Sequence, residues 1–346
     1  FTESGHKMEW SDKDQDDILD LIPNRGLQTA VDANVNVMGL AVLSYGISAE
    51  VLGTASGLIP KGVAELFVRG NILKDQYSLN GADAGGFSAL KIGFSADQKI
   101  PFKKYFDALS VGLKLNYFKG ISMAEVLESE GAIYTGTSAV YYYGKARGRY
   151  ANGLEDSLDT KPFAGKGFGL DLGAAGTINQ KFTFSLALQN LFASLKWDKG
   201  TEEFLFILPV DSFRLDDTDK EVETTDTSYA IKSFSTRLPV VLHLGVAYQL
   251  KENLLLSLDL EQAFANRLGY SDQAKLAVGT EYRPVGWIPL RAGMSFGGKW
   301  GGYSVGLGFG LHAYVFEFDL AYLMQHALWP TYSDGASLAM NMKFLF

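Results

Sequence analysis

The chain has no cysteine, which excludes a disulfide framework, a thiol nucleophile and a thiolate metal site. No run of about eighteen apolar residues occurs, so a membrane-spanning helix is excluded as well. Proline is scarce, at 9 of 346 residues, as the central strands of a sheet require. Positive charge is not in excess: 31 Lys and Arg against 39 Asp and Glu give a net charge of −8. Nucleic-acid binding calls for a basic stripe, so no nucleic-acid partner is expected. Glycine, by contrast, is abundant at 38 residues, roughly 11% against a usual ~7%.

What the chain does contain is alternation. Over 336–346, Leu338, Met340, Met342, Phe344 and Phe346 fall on one face at a period of two, while Ser337, Ala339, Asn341 and Lys343 take the other. A strand of about ten residues, apolar on one face and polar on the other, is the pattern of a transmembrane β-barrel. Met342, Phe344 and the terminal Phe346 resemble the signal that bacterial outer-membrane barrels present to their assembly machinery. That machinery and outer-membrane lipid are therefore expected partners. The rhythm recurs in Leu109, Val111, Leu113, Leu115 and Tyr117, in Phe182, Phe184, Leu186 and Leu188, and in Leu254, Leu256, Leu258 and Leu260. About twelve such segments stand out: 37–51, 84–96, 108–118, 165–178, 181–197, 237–250, 253–264, 273–283, 288–298, 302–312, 314–324 and 336–346. Two weaker ones, 137–145 and 204–213, raise the count to about fourteen, and an even number is expected of a closed bacterial barrel. The fold class is thus all-β, a closed antiparallel transmembrane barrel.

Connections at 178–181, 250–253 and 312–314 are short, whereas 119–164, 198–236 and 324–336 are long. Short turns belong on the periplasmic side and long loops outside. The loop 198–236 is acidic and faces outward on this assignment, where it is a candidate for capturing a protein partner or a hydrophobic ligand. Residues 1–36 lack the alternation and are polar; they and the stretch Val63–Val68 are candidates for a plug or cap, or ordinary loop. The barrel proper is then 37–346. Phe1 opens directly on Thr-Glu-Ser-Gly-His, so the barrel reading implies a mature chain from which a leader has been removed.

Eleven charged residues point inward on the alternation: Lys91, Lys114, Lys275, Arg291 and Lys343 with Asp171, Asp259, Glu261, Glu281, Glu317 and Asp319. A lining of one sign would suggest an ion-selective pore. A balanced one suggests paired charges bracing a narrow or plugged lumen, because unpaired buried charge is costly. Aromatic residues near strand ends, among them Tyr117, Trp197, Tyr248, Tyr282, Trp287, Tyr322 and Trp329, suit interfacial girdles.

Enzyme signatures are weak. His6, His243, His312 and His326 show no metal-ligand spacing. Asp12-x-Asp14-x-Asp16 has Asp17 where a calcium loop needs glycine and Pro23 where it needs glutamate. Gly167-x-Gly169 lies within a strand and opens no helix, so it cradles no phosphate. No catalytic residues, metal or cofactor are expected.

Several phrases in order resemble one family. They are Gly165-Lys-Gly-Phe-Gly-Leu-Asp-Leu-Gly173, Phe184-Ser-Leu-Ala-Leu-Gln-Asn-Leu191, Leu238-Pro239, Leu244-Gly-Val-Ala-Tyr248, Gly279-Thr-Glu-Tyr282, Leu290-Arg-Ala-Gly293, Ser304-Val-Gly-Leu-Gly308 and Phe318-Asp-Leu-Ala-Tyr322. Together, over about 85–346, they resemble the long-chain fatty-acid transporter (FadL-like) superfamily. The nearest resemblance is to its Bacteroidota-type members, such as the shuttle barrel of type IX secretion. The resemblance implies a Gram-negative outer-membrane barrel with about fourteen strands, an N-terminal hatch and passive uptake of hydrophobic small molecules. The superfamily's Asn-Pro-Ala hatch phrase is missing here, since Asn34 precedes Val35. The alternative is a scaffold, accessory or shuttle subunit that presents its outer loops to a protein. Uptake predicts an apolar pocket at the outer rim and a weak point in the wall, for which Gly85-Gly86, Gly297-Gly298 and Gly301-Gly302 are candidates.

Overall fold

The computed structural model describes residues 11–70, 76–102, 105–153, 162–214, 224–299 and 301–345. In chain order, α1 (Asp12–Leu21) leads to a hairpin of β1 (Leu27–Val42) and β2 (Tyr45–Ile59), then α2 (Lys61–Arg69), β3 (Gln76–Ser78) and β4 (Asp83–Lys99). Next come β5 (Ala108–Thr135), β6 (Ala139–Asn152), β7 (Gly165–Ile178), β8 (Phe182–Trp197) and β9 (Thr201–Arg214). Short strands β10 (Thr225–Ala230) and β11 (Phe234–Arg237) precede a meander of β12 (Val241–Lys251), β13 (Leu254–Ala263), β14 (Lys275–Val285) and β15 (Ile288–Gly297). It ends with β16 (Tyr303–Ala313), β17 (Phe316–Gln325) and β18 (Gly335–Phe344). Among the described residues, no helix is long and apolar enough to cross a membrane.

All the strands join one antiparallel sheet, and two parts of it can be traced. The wall follows the pairings β1 to β2, β4, β5, β7, β8 and β12, and then each hairpin in turn to β18. A second, smaller sheet rises from the upper half of β5. There β6 takes over from β7 as partner, β9 follows β6, and β10 follows β9. "Upper" here means the end opposite the short turns. The wall curls, because the connection after β15 reaches back to β1: Lys299 Nζ lies 2.8 Å from Asp32 Oδ1. No register pairs β1 with β18 among the described residues, so the expected closure is shown only as a barrel-like curl.

Alternation explains which face is which. In register across β13 to β18, Leu256, Leu258, Val278, Met294, Leu307, Leu320 and Met340 point outward and remain exposed. Small residues such as Gly279, Gly293, Gly306 and Gly308 share the inner face with the charges. This arrangement inverts a soluble protein, and its outer belt suits hydrocarbon.

Several boundaries differ from the pattern-based ones. The segment 37–51 is two strands, with a turn at Leu43–Ser44 whose Leu43 has a φ of 56°. Residues 27–36 belong to β1: Asp32, Asn34 and Asn36 face inward and gave this strand its polar look. The long connections 119–164 and 198–236 are largely strand, since β5 continues to Thr135 and β6 and β9 pair beyond the wall. Strands β6 and β9 (the weaker candidates 137–145 and 204–213) lie in the rising sheet, so they do not extend the wall count. Helix α1 is held by a capping box of Ser11 and Asp14. Its Asp16 pairs with Arg69 of α2, which places the three aspartates on a capped helix.

Candidate functional site

The inward charges gather into separate clusters. Lys91 and Lys114 both reach Glu50, at 2.8 and 2.7 Å. Lys114 stands on β5 and Glu50 on β2, so the lysine must cross β4. It crosses at Gly93, where any Cβ would collide with the lysine's Cε. Asp171 accepts from Asn116 Nδ2 at 2.7 Å and from the Asn190 backbone N–H at 2.9 Å. Glu281 is bound by Arg283 and Arg291, each at 2.7 Å. Arg291 continues to Asp319 at 2.6 Å, which also meets His312 Nε2 at 3.0 Å. Glu317 and Lys343 are 3.4 Å apart. Asp259, Glu261 and Lys275 line a small cavity of about 140 Å³ with His243, whose Nδ1 is 3.8 Å from Glu261. By strand register all eleven lie on the face of the sheet opposite the exposed leucines and methionines. Glu50, His312, Arg283 and the Asp32–Lys299 pair were missed. Of the three residues expected to signal assembly, Met342 and Phe344 are exposed on the outer face, while Phe346 lies outside the described residues.

Cutting the central cation tests one cluster. Arg291→Ala removes the cation that Glu281 and Asp319 share, leaving Glu281 with Arg283 and Asp319 with His312, both partly exposed. We expect a loss of about 2 kcal/mol, below the cost of a fully buried pair because water screens the site. It is read as a lower conversion temperature of the heat-modifiable band, with partial recovery in Arg291→Ala/Asp319→Asn.

Above these clusters the inner face is apolar. Phe87, Phe118, Met123, Leu195, Trp197 and Phe234 form one buried core, closed by Leu238 and by Leu268 of the β13–β14 connection. Below it lies a polar chamber of about 430 Å³ edged by Asp32, Glu50, Lys91, His243, Tyr270 and Lys299. Tyr270 belongs to the same connection as Leu268. Burial pushes its phenol up, and the Asn190 amide, 3.4 Å away, opposes this. Leu238 and the β13–β14 connection thus fold in against this core.

On the outer face a different cavity opens. An apolar groove of about 700 Å³ runs across the upper wall from Val31 on β1 to Tyr150 on β6 and Phe204 on β9. Its floor is made of small residues, Gly53, Ala55, Gly86 and Ala124. It lies where the wall is irregular. Between Ser88 and Ala89 the β4–β5 register slips by one residue, leaving Ile121 of β5 unmatched. At the same point β5 exchanges β7 for β6, with Gly120 paired to Gly165 and Ser122 to Asn152. A bulge increases local twist and bends its strand, which makes this patch concave. Of the three glycine pairs, Gly85-Gly86 lines the groove; Gly297-Gly298 and Gly301-Gly302 form the tight β15–β16 connection.

Residues 1–321 match the model of a family of unknown function, DUF5723. The chain belongs to that family. Among curated proteins none matches. Solved structures of similar shape include the crystal structure of the P. putida toluene transporter TodX, at 14% identity and a TM-score of 0.46, covering 86% of this chain and 75% of that one. Another is the Ralstonia pickettii toluene transporter TbuX, at 14% identity and a TM-score of 0.43 with the same coverages. Both are transporters rather than enzymes. Likeness at this level carries no argument about ligand.

Proposed function

We propose that this protein is an outer-membrane barrel for passive uptake of hydrophobic small molecules, received at the outer-face groove. The groove is the observation that carries the reading: a large apolar concavity at the upper rim, beside a bulged strand. The location is supported by the apolar belt and by the short turns gathered at one end. The lumen supports a route through the wall, since its upper end holds an apolar core and its lower part a charged chamber that disfavours hydrocarbon.

Filling the groove tests this. Ala124→Trp places an indole on the floor from an exposed position, outside the buried core. Cells carrying that variant should take up a phenylnaphthylamine dye at the rate of cells without the protein, while the heat-modifiable band is unchanged. Uptake at the wild-type rate would remove the groove from the pathway.

A further inference from the structure

Resting on the uptake reading, the groove's chemistry narrows what it takes. Its lining includes no lysine, arginine or histidine, and its one carboxylate, Glu125, is held by Arg149 at the inner face. A carboxylate or phosphate seated there would lose water and gain no cation, a desolvation cost that an uncharged molecule avoids. The groove is nevertheless not uniformly apolar. Ser88 on β4 and Ser122 on β5 are directly paired across the bulge, and their Oγ atoms are 2.8 Å apart.

Each hydroxyl has one hydrogen and two lone pairs. One hydrogen is used between the two serines, so the pair presents a second hydrogen and spare acceptors. Neither serine has a further partner among the described residues. On a wall facing hydrocarbon, such a pair is unfavourable unless something polar meets it. Phe87 and Met123, their chain neighbours, are buried in the inner core, which fixes the serines on the groove side by alternation.

We infer that the groove binds an uncharged amphiphile, with its apolar body along the Ala55–Gly86–Ala124 floor and a single hydroxyl or carbonyl on Ser88 and Ser122. An alcohol, ester or amide fits, whereas an ionised fatty acid does not. A plain alkane fits the floor but leaves the serines unmet.

Because the chain has no cysteine, one introduced thiol can be labelled alone. Val126→Cys, carrying an environment-sensitive bimane, reports on the groove in lipid nanodiscs. The same label at Val246→Cys, on the outer face of β12, reports bulk partitioning into the membrane. We expect dodecanol to shift the groove label at concentrations about tenfold below those needed for dodecanoate at neutral pH, from the charge penalty. Acidification should narrow that gap as the acid takes up its proton. In Ser88→Ala/Ser122→Ala the advantage of dodecanol over dodecane should fall about fivefold, the worth of one hydrogen bond, with dodecane unaffected. Equal action of alcohol and carboxylate at neutral pH would overturn the inference, as would an unchanged alcohol preference in the serine variant. Both outcomes leave the groove itself in place. If no compound moves the Val126 label beyond the Val246 control, the uptake reading fails with it.

Discussion

A chain carrying Met340→Arg and Met342→Arg should leave no folded protein in the membrane. Both methionines stand on the outer face of β18, and they are 62% and 57% exposed. In the register of that strand, Met340 faces Leu320 and Met342 faces Phe318, so the substitutions sit within the apolar belt. An arginine costs about 2–4 kcal/mol near the bilayer midplane and less toward the interface, the side on which Met342 lies, two residues from the end of β18. Together they approach the lower end of a typical domain's stability, about 5–15 kcal/mol. Asn341 is the internal control: it lies between the methionines on the opposite face, directly across from Asp319. Asn341→Arg should assemble normally, its charge meeting a carboxylate. The measurement is the heat-modifiable band in isolated membranes. If the double arginine chain assembles like its parent, the outer belt does not face lipid.

The same two-residue period made most of the wall legible. From β12 to β18 every strand was readable, because outer leucines and aromatics alternate with inner glycines, serines and charges, and the turns are short. Legibility failed where a strand's polar face came first. In β1, Asp32, Asn34 and Asn36 point inward between Val31, Ala33 and Val35, and the run reads as loop. Its turn is equally hidden, since Leu43 adopts a left-handed φ of 56° at a position where glycine or asparagine is usual. With that hairpin misplaced, Glu50 could not be recognised as the partner of Lys91 and Lys114.

Parity puts the eleven charges on one face of the sheet, but it does not give their partners. Which carboxylate meets which cation depends on register between strands that are distant in sequence, as with Arg291 and Asp319. The groove was less visible still. Its lining runs from Val31 to Phe204, and only Gly85-Gly86 marked the place in advance. A bulge such as the one at Ile121 is a mismatch between two strands and leaves no trace in either one read singly. The inner core was hidden for a related reason: Leu238 and Leu268 sit in connections, and Phe234 opens the four-residue β11, too short to carry a periodic signal.

Trp197→Ala should give the largest loss from a single substitution inside the protein. The indole is 1% exposed, donates from Nε1 to Thr236 Oγ1 at 3.2 Å and stacks on Phe234 with ring centroids 6.5 Å apart. Gly120 makes room for it, since a Cβ there would overlap the six-membered ring. Removing so large a buried ring costs about 3–5 kcal/mol. The loss should fall on the upper core, because Trp197 ties β8 to β11 while the lower wall rests on its own hairpins. Added protease should then cut near β11 in the variant and spare the 250–253 turn. In planar bilayers the parent chain should show little steady conductance, and Trp197→Ala should show intermittent openings as the core loosens. Trp197→Phe keeps most of the packing and loses about 1 kcal/mol with the hydrogen bond, so it should stay closed. Openings of equal size and frequency in the parent and both variants would mean that this core does not close the lumen.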